Sequence, residues 1–105
     1  MGMPGQVVYS AAKGGLISFT KSLAREMARH NINVNCVCPG PIDTPLLRSQ
    51  AEDGHELDAI LKKVSIRRYG KPEEIAHAVT FFASSEADYV TGEILSVAGG
   101  WAMAG

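Results

Sequence analysis

From about Val8 to Arg29 the apolar side chains recur at helical spacing. Leu16, Phe19, Leu23 and Met27 make one stripe, widened by Ile17, Ala24 and Ala28, while Lys21, Arg25, Glu26 and Arg29 fall off it. This pattern predicts a long amphipathic helix, broken at His30-Asn31, with Asn31 suited to a left-handed cap. The run INVNCVC is rich in β-branched and small apolar residues and stops at Pro39-Gly40, so it predicts a strand of about seven residues. Pro39, Pro41 and Pro45 stiffen the turn that follows. From Leu46 to Arg68 the chain is charged and lacks a clear period, which suggests a mobile helical insertion. A second helix starts at KPEEIAHAVTFFAS. Pro72 suits its first position, Glu73 and Glu74 complement the dipole, and Ile75, Val79 and Phe82 are its expected buried stripe. ASSEADYVTG reads as a loop and EILSVAGG as a short strand closing on Gly99-Gly100.

The predicted order is helix, strand, helical insert, helix, strand. A crossover this long implies two parallel strands joined by a right-handed connection. Parallel sheets usually hold more strands and are covered on both faces, and a lone pair leaves an open edge. The pattern therefore resembles part of an α/β domain.

Composition narrows the function classes. The 105 residues carry 10 Lys and Arg against 11 Asp and Glu, a balance that does not suit a polyanion-binding surface. No apolar run approaches the ~20 residues needed to span a bilayer, and MGMPGQVV has no signal-peptide character. The expectations are a cytoplasmic protein with no nucleic-acid or membrane partner. Cys36 and Cys38 stand without a second cysteine pair, and His30, His55 and His77 show no ligand spacing. Two small thiols in a reducing compartment fit this better than a metal site, and none is expected.

The stretch VVYSAAKGGL holds the candidate chemistry. Tyr9 and Lys13 are four residues apart, so a helix sets them on one face with Cβ atoms about 5–6 Å apart. A free phenol titrates near ~10, too high for ready proton exchange at neutral pH. An ammonium about 4 Å away, at an effective dielectric of about 20, favours the phenolate by about 4 kcal/mol. The first-turn dipole acts in the same direction. A phenol so tuned can serve as general acid or base. Taken alone, the pair reads better as a solvated helix face than as an active site.

Its company changes that weighting. The sequence resembles the short-chain dehydrogenase/reductase superfamily, of the 3-oxoacyl-ACP reductase-like kind, over nearly the whole chain. GMPGQVVYSAAKGGLISFTKSLAREM is similar to its active-site helix, with Gly2 and Gly5 at the preceding glycines. INVNCVCPGPIDTP is similar to its strand and Pro-Gly turn. The block from Ile66 to Gly100 resembles its C-terminal region, including Arg68, Gly70, Pro72, Thr91, Gly92, Gly99 and Gly100. The implied fold class is α/β, the C-terminal part of a Rossmann-like doubly wound parallel sheet, incomplete on its own. Residues 1–105 would be the C-terminal half of such a domain, with 46–66 as its variable substrate-loop insert.

The resemblance also implies roles. Tyr9 would exchange a proton with the substrate oxygen, and Lys13 would hold the nicotinamide ribose and keep the phenol acidic. Pro39 and Gly40 would bring backbone close to the nicotinamide, a contact that needs a residue without a side chain. Ile42 and Thr44 would meet the carboxamide and neighbouring phosphate. Thr44 as a helix cap and Pro39-Gly40 as a plain strand end stay open as readings. The implied cofactor is NAD or NADP, the implied partner a small-molecule substrate, and the assembly a homo-oligomer, dimer or tetramer. In the family the Tyr-Lys helix and the last helix with its strand form subunit interfaces, so Leu16, Phe19, Leu23 and Trp101 could serve association. Within 46–66, charges such as Arg48, Glu52, Asp53, His55, Glu56, Asp58, Lys62 and Lys63 could meet a ligand, although a solvated loop accounts for most of them.

The family's glycine-rich phosphate-binding turn does not occur in these residues, nor do its catalytic serine and asparagine. Ala12 and Ala98 stand where the family often has Ser and Asp, and neither is expected to touch the chemistry. The chain starts where the back half of such an enzyme starts. It reads as a portion of a longer oxidoreductase that interconverts a secondary alcohol and a ketone. The alternative is a truncated, catalytically silent module that associates through its sheet edge and helix face.

Overall fold

The computed structural model describes residues 6–45 and 54–101. Its elements are α1 (Gln6–Met27), a 3-10 turn at Ala28–His30, β1 (Cys36–Pro39), α2 (Gly54–Lys62), α3 (Pro72–Ala83), a 3-10 turn at Ser85–Ala87 and β2 (Ile94–Val97). The predicted order is reproduced. β1 and β2 pair in one two-stranded sheet. Cys36 N–H donates to the Glu93 carbonyl at 2.9 Å and Gly40 N–H to that of Val97 at 3.0 Å. Both strands advance by the same number of residues in the same sense between these bonds, so the pair is parallel. The chain divides into two compact units, one running to Cys36 and including Ser85–Leu95, the other Val37–Ser84 with the residues from Ser96.

In the first unit α1 ends as expected. Asn31 takes φ 58° and ψ 37°, and its N–H returns to the Ala28 carbonyl at 2.9 Å. The buried face of α1 overlaps the predicted stripe in part: Ile17, Leu23 and Met27 are half-buried and Ala24, which widened the stripe, is buried. Thr20 is buried as well, whereas Leu16 is 46% and Phe19 60% exposed. Apolar residues cover more than one face of this helix, so period alone selects none. Small size decides it: Ala24 Cβ lies 3.6 Å from where a Cβ on Gly92 would stand, and Lys21 Nζ donates to the Gly92 carbonyl at 3.2 Å. The buried Thr20 hydroxyl is satisfied by the Leu16 carbonyl at 2.7 Å.

The strand is shorter than predicted because residues 33–35 bond to a loop instead of a ladder. Asn33 Nδ2 reaches the Ala87 and Asp88 carbonyls at 3.2 and 3.1 Å. Val34 N–H donates to Thr91 Oγ1 at 3.0 Å, and its carbonyl accepts Gly92 N–H at 2.7 Å. Asn35 works in both directions, donating to the Val90 carbonyl at 3.1 Å and accepting Glu93 N–H at 3.0 Å.

In the second unit the described part of the charged insert contains a helix, α2, as expected, and beyond it Val64 is 1% exposed. Val64 Cγ1 lies 3.1 Å from where a Cβ on Gly99 would stand, and Gly99 has φ +61°. Leu46 to Asp53, with the charges Arg48, Glu52 and Asp53, lie outside the described residues. α3 begins at Pro72 as predicted, yet none of its residues is fully buried and Val79 is 52% exposed. Its inward face centres on Ile75, Ala78 and Phe82, and at 100° per residue Val79 falls on the rim of that face.

Asn35→Ala removes a donor and an acceptor from the loop that carries Val90 and Glu93. The expected cost is about 1–3 kcal/mol, read as a lower urea midpoint at unchanged m-value. An unaltered midpoint would contradict the two-way bonding of Asn35.

Candidate active site

Tyr9 and Lys13 both belong to α1, four residues apart and so on one face of a continuous helix. The Tyr9 side chain lies outside the description; that of Lys13 is half-buried. The two glycines that follow, Gly14 and Gly15, have open space where a Cβ would stand. Glycine inside a helix costs about 0.5–1 kcal/mol relative to alanine, and no described contact in this chain requires it there. The other two tyrosines make poor acid–base candidates. Tyr89 is fully exposed. Tyr69 is pushed up, first by burial and then by the Asp58 and Asp43 carboxylates, away from neutrality.

The other expected site residues belong to the second unit. Pro39 ends β1 and is exposed, while Gly40, Ile42 and Thr44 are half-buried in the turn beyond it. Packing gives a second reason for glycine at 40, beside the expected approach to a nicotinamide. A Cβ there would stand 2.6 Å from Ala98 Cβ and 2.7 Å from Ala98 Cα. Packing within the chain by itself thus calls for glycine at this position. Ala98, expected to stand apart from the chemistry, presses directly on this residue.

The turn is held by a segment in which the sequence offered Arg68 and Gly70 only as family-like positions and Glu74 only as a complement to the helix dipole. Ile42 and Gly70 form a parallel bridge. Gly70 N–H donates to the Pro41 carbonyl at 3.0 Å, and its own carbonyl accepts Asp43 N–H at 2.8 Å. A Cβ on Gly70 would stand 2.7 Å from Ile42 Cδ1. Around Gly70, Arg68 and Glu74 make a two-point pair at 2.7 and 2.8 Å. Glu74 Oε1 also accepts Lys71 N–H at 2.9 Å. These bonds, that from Arg68 first, lower the Glu74 carboxyl to about 2, while the carboxylate raises the Arg68 guanidinium. A depressed carboxylate pKa adds stability above its ordinary value, lost as pH falls through about 2, so the pair is intact at neutral pH. The sequence signals were Arg68 and Gly70 at family-like positions and Glu74 three residues after Lys71, where lysine in place of Ser or Thr obscured the capping pattern.

Two recesses complete the second unit. One of about 50 Å³ lies between Ile42, Arg68, Gly70, Glu74 and Ala98, room for a water and too small for a nicotinamide ring. The other is an open groove of about 650 Å³ on α2, where Asp58, Lys62 and Lys63 are exposed as a solvated face would have them.

Gly40→Ala forces β1 and the Ala98 backbone apart, at a cost of about 1–3 kcal/mol. Combined with Ala98→Gly, the loss should be partly recovered, since neighbouring changes are not additive. Thermal melts of the two single variants and the double variant measure this; an unchanged melt in Gly40→Ala would contradict the contact, since the Ala98 Cα 2.7 Å from the added Cβ stays in place.

Among the described residues no helix is long and apolar enough to cross a membrane. The family described as enoyl-(acyl carrier protein) reductase matches residues 1–102. The 3-oxoacyl-(acyl-carrier-protein) reductase of Escherichia coli K12 is 52% identical over 103 residues, 98% of this chain and 41% of that protein. Its Thermotoga maritima counterpart is 44% identical over 99 residues, 94% of this chain and 39% of that protein. The chain thus spans about two fifths of the length of the curated relatives it matches. An Agrobacterium tumefaciens protein with bound NADP, assigned as a 2-deoxy-d-gluconate 3-dehydrogenase, superposes with TM-score 0.82 at 45% identity over 89% of this chain and 38% of its own. A Serratia marcescens short-chain dehydrogenase/reductase does so with TM-score 0.84 at 39% identity, over 95% of this chain and 40% of its own. The parallel α/β pair is therefore part of a Rossmann-type sheet, and the chain belongs to the short-chain dehydrogenase/reductase family.

Proposed function

We propose that this protein acts as an NAD(P)-dependent oxidoreductase interconverting a secondary alcohol and a ketone, with Tyr9 as acid–base and Lys13 tuning it. The observation that carries this reading is the pairing of Tyr9 and Lys13 one turn apart on α1, in a chain whose family match runs over residues 1–102. The NADP bound in the Agrobacterium relative supports a nicotinamide cofactor. The donors present suit one: Lys13, a half-buried residue on the same helical face as Tyr9, and a turn at 40–44 whose backbone is bonded to Gly70 and Val97.

Lys13 would bind the nicotinamide ribose hydroxyls, and Pro39, Gly40, Ile42 and Thr44 would orient the ring and its neighbouring phosphate. When bound, the nicotinamide gives hydride to the substrate's carbonyl carbon or takes it from the alcohol carbon. In reduction, Tyr9 Oη gives its proton to the carbonyl oxygen; in oxidation, the Tyr9 phenolate takes it from the hydroxyl. The Lys13 ammonium stabilises the phenolate through both directions. The relatives' names make 3-oxoacyl thioesters the first substrate class to assay. The protein is taken to work in the cytoplasm.

A second reading has its own support. Leu16 and Phe19 on α1 stand 46% and 60% exposed, a face suited to self-association in a homo-oligomer with or without catalysis.

One set of assays separates the two. Titration with NADH and NADPH should change nicotinamide fluorescence. Tyr9→Phe should retain that binding and lower turnover of a 3-oxoacyl thioester by roughly 10²–10⁴-fold. Turnover unchanged in Tyr9→Phe would remove the proposed acid–base role. Absent binding together with concentration-dependent unfolding would favour the association module.

A further inference from the structure

We propose that Arg68 and Glu74 are positioning residues for the Pro41–Asp43 turn, acting through Gly70. Four links, all within the second unit, carry this. Arg68 and Glu74 join at two points, 2.7 and 2.8 Å. Both ends of that pair also hold the intervening backbone: Arg68 Nη1 donates to the Tyr69 carbonyl at 3.2 Å, and Glu74 Oε1 accepts Lys71 N–H at 2.9 Å. Gly70 lies between these two anchored peptides. Its N–H and carbonyl then grip the Pro41 carbonyl at 3.0 Å and Asp43 N–H at 2.8 Å.

Side-chain packing runs along the same path. Because Gly70 has no Cβ, Ile42 Cδ1 can occupy the space 2.7 Å from where that atom would stand. The turn is thus set in position by polar bonds on its backbone and by the seat of one side chain. Neither Arg68 nor Glu74 is placed among the residues assigned to cofactor.

An exposed ion pair ordinarily contributes little, and Arg68 and Glu74 are 51% and 35% exposed. This pair differs in being forked at both ends and shared with two backbone groups, the geometry in which charge-assisted bonds fix position. Lysine could replace the charge of Arg68 but not its fork. What the turn contacts rests on the proposed function; how it is held does not.

Backbone amide exchange in the whole chain tests the holding. Arg68→Ala should speed exchange at the Gly70 and Asp43 amides roughly tenfold, with the Cys36 and Gly92 amides of the first unit changed by less than about twofold. Arg68→Lys should speed the same two amides by a smaller factor, and it decides the matter by the same criterion if the alanine variant does not fold. Wild-type exchange at Gly70 and Asp43, or acceleration only in step with Cys36 and Gly92, would overturn the proposal. A parallel NADPH titration tests the consequence. Arg68→Lys should weaken binding by roughly three- to tenfold, and equal affinity despite faster exchange would overturn the link between turn and cofactor. If the wild-type chain binds no NADPH, the proposed function fails, while the exchange result still decides whether Arg68 and Glu74 position the turn.

Discussion

The second unit depends on a side chain that is missing. At Gly40 the backbone comes so close to Ala98 that a Cβ would stand 2.6 Å from the alanine's own, and only this proximity lets Gly40 N–H reach the Val97 carbonyl at 3.0 Å. That bond ends the parallel pair and begins the turn. The neighbouring glycines repeat the principle. Gly99, at φ +61°, lies over the buried Val64, and Gly70 makes room for Ile42. A chain whose described core includes so few large side chains is organised by close backbone approaches, each of which needs a small residue on one side.

The first unit solves its packing in the same way with a different polar device. Ala24 and Gly92 allow α1 and the loop to meet, and Asn33, Asn35 and Thr91 satisfy the backbone groups that a longer ladder would have paired. The polar residues of INVNCVC are therefore as structural as the apolar ones. Polar satisfaction, rather than apolar area, fixes where β1 begins.

Much of this was legible in the sequence. The order of elements, the left-handed cap at Asn31, the start of α3 at Pro72 and the parallel pair follow from period, caps and breakers. The misread features share one cause. Leu16 and Phe19 look like core and Val79 like a buried stripe because hydrophobicity carries no information about which face has a neighbour. Thr20 looks unremarkable, and Ala24 only widens the stripe, because small size signals proximity only once the partner is known. For the candidate site, the shared helical face of Tyr9 and Lys13 was readable because helical spacing is local. The hold of Gly70 on Ile42 was not, because it joins residues distant in sequence through backbone atoms.

The proposed function rests on an electrostatic effect: a cation one helical turn along would make the Tyr9 phenol a usable acid. Titration of the Tyr9 ring by carbon NMR, in the wild-type chain and in Lys13→Met, tests it most directly. The account predicts a wild-type midpoint well below the ordinary phenol value of about 10 and a return toward that value in the variant. Midpoints near 10 in both proteins would contradict it.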